Sequence, residues 1–584
     1  MSNEEEITTT DKNGTLPKLG LTSPILSYFC IYNPTLSNSE ENTKDQILYF
    51  TAKEEMPLDS KMKQVGLAQA LINFTNTFSP SHPAQNVHSQ KHRMVFLEAE
   101  PNFWMVMSVE LGILRRQTKD GKLITEHLDA QLNDRALESV LKLGHDQFKL
   151  LHGSFSDFLH DSKSSRQQMK SLVMAMEDFY SEWIWKWDFD RLDKMCFSAI
   201  FNGISHQPLA DSNHQMMRAL DKEIMKKAGF DDDGHLFVFH IDKPDAIIYR
   251  SSSLSIMNVC SLKKFIIQVV QKHIKYEHLK KELEKESAAA LNPKVSSLKS
   301  FTKSLSTSNL IGYFSYKSLE PPISPQSSHA ILNSTCIHPL DTDSNSDDDI
   351  EQRGIYLTGL IDSTAINMNG EQQPIKKTDI VKVYLKGSEE EQSLVSYYLL
   401  IYKHNSGLIF NYLLPHSLTV EKRLSNITFY NDLEKWMIDN ELDTLTQNIT
   451  NDINSDREEE TDIDLRYYKY FSFDSKTLEI KSTLMDHQTN GDKNKKKKKK
   501  KDKDGTSDIV VNNDILLQIL ELKNDFDIGR NSEVYTRSTL NCWIAGHRHY
   551  HSKEEYYKEA FLIANKKDTS LANVQENLCK LSAL

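Results

Sequence analysis

The sequence predicts an α+β protein in which antiparallel sheets are covered by helices, with polar insertions between the folded parts. Three observations predict it. The segment order over the first ~165 residues reads ββαββαα, which suits an antiparallel sheet with helices on its faces. Two further blocks show strands wrapped by helices in the same coarse way. Ser-, Asp- and Lys-rich tracts interrupt these blocks and carry no apolar periodicity.

In the first block, Ile25 to Tyr32 (ILSYFCIY) is β-rich and Asn33-Pro34 stops it. Gln46 to Thr51 is a second strand. Met62, Val65, Ala68, Leu71, Ile72 and Phe78 recur near a 3.6 period and predict a helix from about Asp59 to Phe78, which Ser79-Pro80 ends. Strands follow at Arg93 to Glu98 and Phe103 to Leu111. In the latter, Phe103, Met105, Met107 and Val109 point one way and Trp104 and Val106 the other, as in a strand covered on both faces. Helices are expected at Asp134 to Leu151 and at Leu172 to Trp187, with Phe179, Trp183 and Trp187 at helical spacing in the core.

The second block has a helix around Met216 to Ala228, strands at Leu236 to Ile241 and Ala246 to Arg250, and a helix from Leu262 to about Glu286. Strands then run at Arg353 to Ile361, Ile380 to Leu385, Leu394 to Lys403 and Gly407 to Leu413, before one long helix from Ser417 to about Ile449. The third block has strands at Arg466 to Asp474 and Thr477 to Leu484, a helix at Asn513 to Asp525, strands at Ser538 to Tyr550 and Glu559 to Ile563, and a last helix at Leu571 to Leu581. Pro293, Pro321, Pro322 and Pro325 punctuate a Ser-rich insertion that ends in an acidic run, Asp341 to Glu351.

With 584 residues, the chain is long enough for several cores. It carries 82 acidic and 70 basic residues, a net charge of −12, which argues against a nucleic-acid binder. Its six cysteines form no CxxC pair, so free thiols in a reducing compartment are expected. Met1 to Thr10 is acidic and polar, without the apolar stretch of a secretory signal. Leu394 to Leu414 is interrupted by Lys403, His404 and Asn405, too polar for a membrane span.

No GxxxxGK[ST], GxGxxG, GxSxG or HExxH motif is present, so neither a phosphate cradle nor a recognised active site is expected, and no cofactor. His547, His549 and His551 alternate on one strand face. They read as metal ligands or as a solvated strand end. Nine lysines crowd one stretch: Lys493, Lys495, Lys496, Lys497, Lys498, Lys499, Lys500, Lys501 and Lys503. Their mutual repulsion opposes folding. The readings are attraction to an anionic lipid surface, nucleic acid or a nuclear-import receptor, or a low-complexity expansion without a role.

The stretches SPILSYFCIYNPTL, VGLAQALINFTNTFSPSHPAQNVHSQKHRMVFLEAEPNFWMVMSVE and FNGISHQPL resemble the vacuolar fusion protein Ccz family. So does STLNCWIAGHRHYHSKEEYYKEAFLIANKKDTSLANVQENLCKL near the C-terminus. The resemblance is strongest over residues 23–111. It implies three longin-type domains: 22–190, then 196–455 with a disordered insertion at 288–352, then 463–584 with a Lys-rich insertion at 488–510. A disordered leader, 1–21, precedes them.

It further implies obligate pairing with a Mon-like longin subunit. The pair would act as a guanine-nucleotide exchange factor for a late-endosomal, seven-type Rab GTPase, without active-site chemistry. It would work in the cytoplasm, peripherally on late endosomes, lysosomes or vacuoles and autophagosomes, where anionic or phosphoinositide lipids are exposed. The rival readings are a non-exchanging longin adaptor and a lipid-recruited tether. Candidate partner and Rab contacts are the polar and turn residues at strand ends: Asn33, Pro34, Thr35, Lys91, His92 and Arg93. Charge reversal at Lys91 and Arg93 is expected to weaken binding without loss of stability.

Overall fold

The computed structural model describes residues 5–6, 20–37, 40–80, 84–117, 123–129, 132–159, 166–187, 189, 200–230, 233–290, 353–366, 372–387, 393–454, 467–484, 511, 513–529, 531–538, 541–550, 556–565 and 569–583. The insertion 291–352, the run Lys493 to Lys503, and the joints at 190–199 and 455–466 lie outside the described residues.

The first domain is a five-stranded antiparallel sheet. Its strands are β1 (Ile25–Tyr32), β2 (Ile47–Ala52), β3 (Asn86–His88), β4 (His92–Glu100) and β5 (Phe103–Glu110), in the order β2-β1-β5-β4-β3. The expected alternation in β5 holds. Phe103, Met105, Met107 and Val109 join one core with helices α2 (Asp134–His152) and α3 (Arg166–Trp183). Val106, with Trp104 packed against it, joins the other core, beneath helix α1 (Leu58–Phe78). Gly144 lets α2 and α3 meet: a Cβ there would lie 2.6 Å from the Trp183 ring.

Glu100, buried at the end of β4, ties the segment after α2 to the sheet. It meets His145 Nε2 at 2.9 Å and accepts from the Phe155 and Ser156 amides, each at 2.9 Å, and from the Ser156 hydroxyl at 2.8 Å. Burial on its own would raise the carboxyl's pKa. His145 and these donors outweigh it and hold the pKa down at about 2.

Residues 112–117 and 123–128 pair as antiparallel strands β6 (Gly112–Gln117) and β7 (Leu123–Leu128), to which the sequence reading assigns no strand. The leader is not wholly structureless either. Glu5–Glu6 pairs with β7, and Gly20–Thr22 pairs with β6.

The second domain contains a larger mixed sheet. Its strands are β8 (Ser205–His206), β9 (His235–His240), β10 (Lys243–Arg250), β11 (Gly354–Tyr356), β14 (Val381–Lys386), β15 (Leu394–His404) and β16 (Leu408–Pro415). Strands β12 (Gly359–Ile366) and β13 (Gln372–Asp379) form a separate hairpin. On one face lie α4 (Asp211–Ala228), α6 (Leu418–Leu424), α7 (Ile427–Asp439) and α8 (Leu442–Asn454); on the other lies α5 (Ile256–Ala290).

The single long helix expected from Ser417 is three helices. Side chains of Ser417 and Asn426 cap the first two, and Glu441 turns the chain into the third at φ 58°. The second core also takes in Leu150 at the end of α2, and Gln147 Nε2 donates to Ser261 O at 3.0 Å. Helix α2 thus serves two domains.

The third domain is a five-stranded sheet of β17 (Tyr468–Asp474), β18 (Ile480–Ser482), β19 (Glu533–Arg537), β20 (Cys542–Tyr550) and β21 (Tyr557–Asn565), ordered β18-β17-β21-β20-β19. Helix α9 (Asn513–Asp527) covers one face and α10 (Leu571–Ala583) the other. The strand expected over Ser538 to Tyr550 starts later, at Cys542. Ser538 and Asn541 instead close a turn from β19, with Asn541 at φ 60°. Among the described residues, no helix is long and apolar enough to cross a membrane.

Candidate partner-binding face of the first domain

Helix α1 is apolar on two opposite sides. Val65, Ala68 and Ile72 point inward, onto Tyr28, Cys30, Tyr32, Phe96 and Val106. At 100° per residue, Leu67, Ala70, Phe74 and Phe78 fall on the reverse side. That side is open: Leu67 is 49%, Phe74 64% and Phe78 75% exposed, with the two phenyl rings 4.9 Å apart. Phe78, counted in the sequence with the 3.6-period residues, is therefore a surface residue. Gly66 and Ala70 leave the stripe shallow, and an added Cβ at Gly66 would meet nothing within 4 Å. Among the described residues no other helix joins the core on this face of the sheet. An exposed apolar stripe of this kind marks an interaction surface, so the outer side of α1 calls for a partner.

The loop after β1 borders this helix. Asn33 is buried, not exposed as expected. Its side chain accepts from the Thr35 amide at 2.9 Å and the Thr35 hydroxyl at 2.7 Å, and its amide donates to Gln46 O at 2.9 Å. Gln46 Oε1 in turn accepts from Gln69 Nε2 of α1 at 2.7 Å. Pro34 and Thr35 are thus presented beside the middle of α1, Thr35 exposed.

The other expected contacts do not join them. Tyr32 pairs with Trp104, whereas His92 and Ile25 both pair with Glu110. Lys91, His92 and Arg93 therefore sit at the far end of the sheet, roughly 23 Å away at ~3.3 Å per residue.

Lys91 is exposed and His92 half-buried, but Arg93 is only 3% exposed. Its guanidinium donates to Leu132 O at 3.2 Å and Asp129 O at 3.1 Å, and forms ion pairs with Asp129 and Asp134. Asp134 opens α2, so Arg93 fastens that helix to the sheet. The expectation that charge reversal at Arg93 spares stability is corrected on this ground. Arg93→Ala should cost about 2 kcal/mol, because the buried guanidinium's bonds to Leu132 O, Asp129 and Asp134 are lost, while both carboxylates keep access to water. Lys91→Glu should stay within about 0.5 kcal/mol. Urea denaturation of both variants checks this; equal, small effects would refute the fastening role.

In the third domain, His547 Nδ1 lies 2.8 Å from Ser582 Oγ and His549 is exposed, while His551 is outside the described residues. Burial lowers the pKa of His547. Among the described residues no cluster of His, Cys, Asp or Glu is arranged to hold a metal ion. Sequence reading missed the outer stripe of α1. Its signal was there in the LeuxxAlaxxxPhexxxPhe spacing of residues 67–78, off the inward period.

Residues 26–153 match the family model described as the first longin domain of INTU, CCZ1 and HPS4, and all of α1 lies inside the match. The chain is similar to the vacuolar fusion protein CCZ1 homolog of Nematostella vectensis, 33% identical over 188 residues, covering 32% of this chain and 39% of the relative. The homolog of Xenopus laevis is 33% identical over 187 residues, covering 32% and 38%. That of Dictyostelium discoideum is 27% identical over 186 residues, covering 32% and 39%. The chain thus spans about two fifths of the length of these relatives. These matches bear out the resemblance to the Ccz family over the first domain.

Proposed function

Since residues 26–153 form a longin domain of the INTU, CCZ1 and HPS4 type, we propose that the chain works in vacuolar fusion as one subunit of a heterodimeric exchange factor. The observation that carries this reading is the uncovered apolar stripe of α1, inside the matched domain. The partner is a Mon-like longin subunit seated on that stripe, and the substrate is a late-endosomal Rab GTPase.

Exchange needs no covalent step. A subunit pair that binds the nucleotide-free GTPase better than the loaded one shifts the equilibrium toward release by that difference in affinity. A rigid sheet packed on both faces suits holding a mobile GTPase segment away from its nucleotide. The lysine run, Lys493 to Lys503, would add recruitment to anionic membranes at about 1 kcal/mol for each lysine that reaches the surface.

The test is co-expression with a Mon-like longin protein, followed by release of fluorescent GDP from the Rab. Equal-ratio co-purification with accelerated release supports the reading. A complex without acceleration favours the adaptor, and full activity of the isolated chain refutes the two-subunit scheme. Deleting residues 493–503 should leave release in solution unchanged and lower it on phosphatidylserine or phosphoinositide liposomes, most at low salt.

A further inference from the structure

We propose that residues 200–206 clasp the second and third domains into one unit that opens as a whole. The segment opens the second domain, yet it builds the third as well. Phe201, 2% exposed, sits in the core of the third domain. Its ring centroid lies 4.4 Å from that of Phe471, 5.7 Å from Phe473 and 5.9 Å from Phe561, and the Lys523 ammonium sits 5.1 Å above it.

Three residues later the backbone joins the edge of the same sheet. Ile204 N donates to Leu478 O at 2.7 Å, Ile480 N donates to Ile204 O at 2.8 Å, and Ser205 Oγ donates to Ile480 O at 2.9 Å. The next two residues are β8, paired parallel with β10 of the second domain, and Gln207 N donates to Ile247 O at 2.9 Å. One continuous stretch of chain therefore closes an exposed edge of each sheet, β10 on one side and β18 on the other.

The segment is held from a third direction by α5. Lys264 Nζ donates to Asn202 Oδ1 at 2.6 Å and Cys260 Sγ lies 3.5 Å from Asn202 O. Gly203 has no room for a side chain: a Cβ would lie 2.6 Å from Ile480 Cγ1 and 2.7 Å from Leu478 O. Asn202 itself adopts φ 41° to turn the chain between plug and strand. Separating the domains must draw Phe201 out of one core and break backbone pairing on two sheets at once, which couples their opening.

Native-state hydrogen exchange of the full chain, followed by mass spectrometry across increasing denaturant, tests this. Peptides containing Phe237 to Phe239 and Ile409 to Leu413 report the second sheet. Those containing Ile544 to Gly546 and Phe561 to Ala564 report the third. In the unaltered chain the two sets should open at the same denaturant concentration. Gly203→Val, which forces the segment off β18 without emptying the core, should separate them, with the third sheet opening first. Should that variant fail to fold, Phe201→Leu gives the milder readout: about tenfold faster opening of the third-sheet peptides, transmitted to the second-sheet peptides. Two distinct openings in the unaltered chain would overturn the clasp, as would coincidence that survives Gly203→Val or second-sheet peptides indifferent to Phe201→Leu.

Discussion

Glu559→Ala should destabilise the third domain by about 4 kcal/mol, a large share of the stability of a typical single domain. Glu559 is 1% exposed. Its carboxylate accepts from Lys523 Nζ at 3.0 and 3.2 Å and from Arg548 Nε at 2.8 Å, with Arg548 Nη2 forming a further ion pair. Both cations are themselves buried, and each stacks over aromatic rings, Lys523 over Phe201 and Tyr557, Arg548 over Phe526 and Tyr557. Burial alone would lower the pKa of Arg548; the charge of Glu559, helped by Asp527, outweighs it and raises it.

Without Glu559, the two buried cations share Asp527 as their carboxylate among the described residues, and Asp527 also pairs with Arg135 of α2. Chemical denaturation of the full chain, read on third-domain peptides by hydrogen exchange, measures the loss. Because the cost lies in stranded charge, adding Lys523→Met to Glu559→Ala should recover part of it. A single-variant loss below about 1 kcal/mol would show that solvent reaches the cluster.

Phe74→Asp with Phe78→Asp should weaken binding of the proposed longin partner by about a thousandfold. Two aromatic anchors are lost, and two charges must be desolvated for the interface to close. The same change should leave the isolated chain at or slightly above its original melting temperature, since both rings already face water. Size-exclusion chromatography of the co-expressed pair, with thermal melts alongside, separates the two effects. A pair that stays together would remove the α1 stripe as the partner face. A fall in melting temperature equal to that of Arg93→Ala would mean that the rings pack within the chain.

What was legible in the sequence follows the range of the interactions. β5 declared itself through the unbroken apolar run Phe103 to Met107, as a strand covered on both faces allows. That signal spans a few residues. Arg93 was misjudged because its burial is decided by Asp129 and Asp134, some forty residues along the chain, and nothing beside it announces them. The break at Asn426 carried a local cap signal, and the break at Glu441 rests on a left-handed backbone, φ 58°, at a residue type that does not announce one. The strand pair at 112–117 and 123–128 was obscured by charge: Arg115, Arg116 and Glu126 lie on strands half open to water, where alternation fades. The stripe on α1 was missed, and Phe78 was counted with the inward period, because periodicity reports apolar spacing and two apolar faces blur into one.

The double service of α2 bears on how this protein can be dissected. A recombinant fragment ending near residue 190 retains a complete five-stranded sheet and the helices on both its faces, so it should fold. Yet it arrives with the far end of α2 stripped: Leu150 and Leu151, which belong to the second core, face solvent, and Gln147 loses the carbonyl of Ser261. Together with the stripe on α1, such a fragment carries two raw apolar surfaces on different sides of one small body, the geometry that propagates open chains of molecules rather than closed pairs. Soluble handling of the isolated domain calls for polar substitutions at Leu150 and Leu151, which leave the α1 surface untouched.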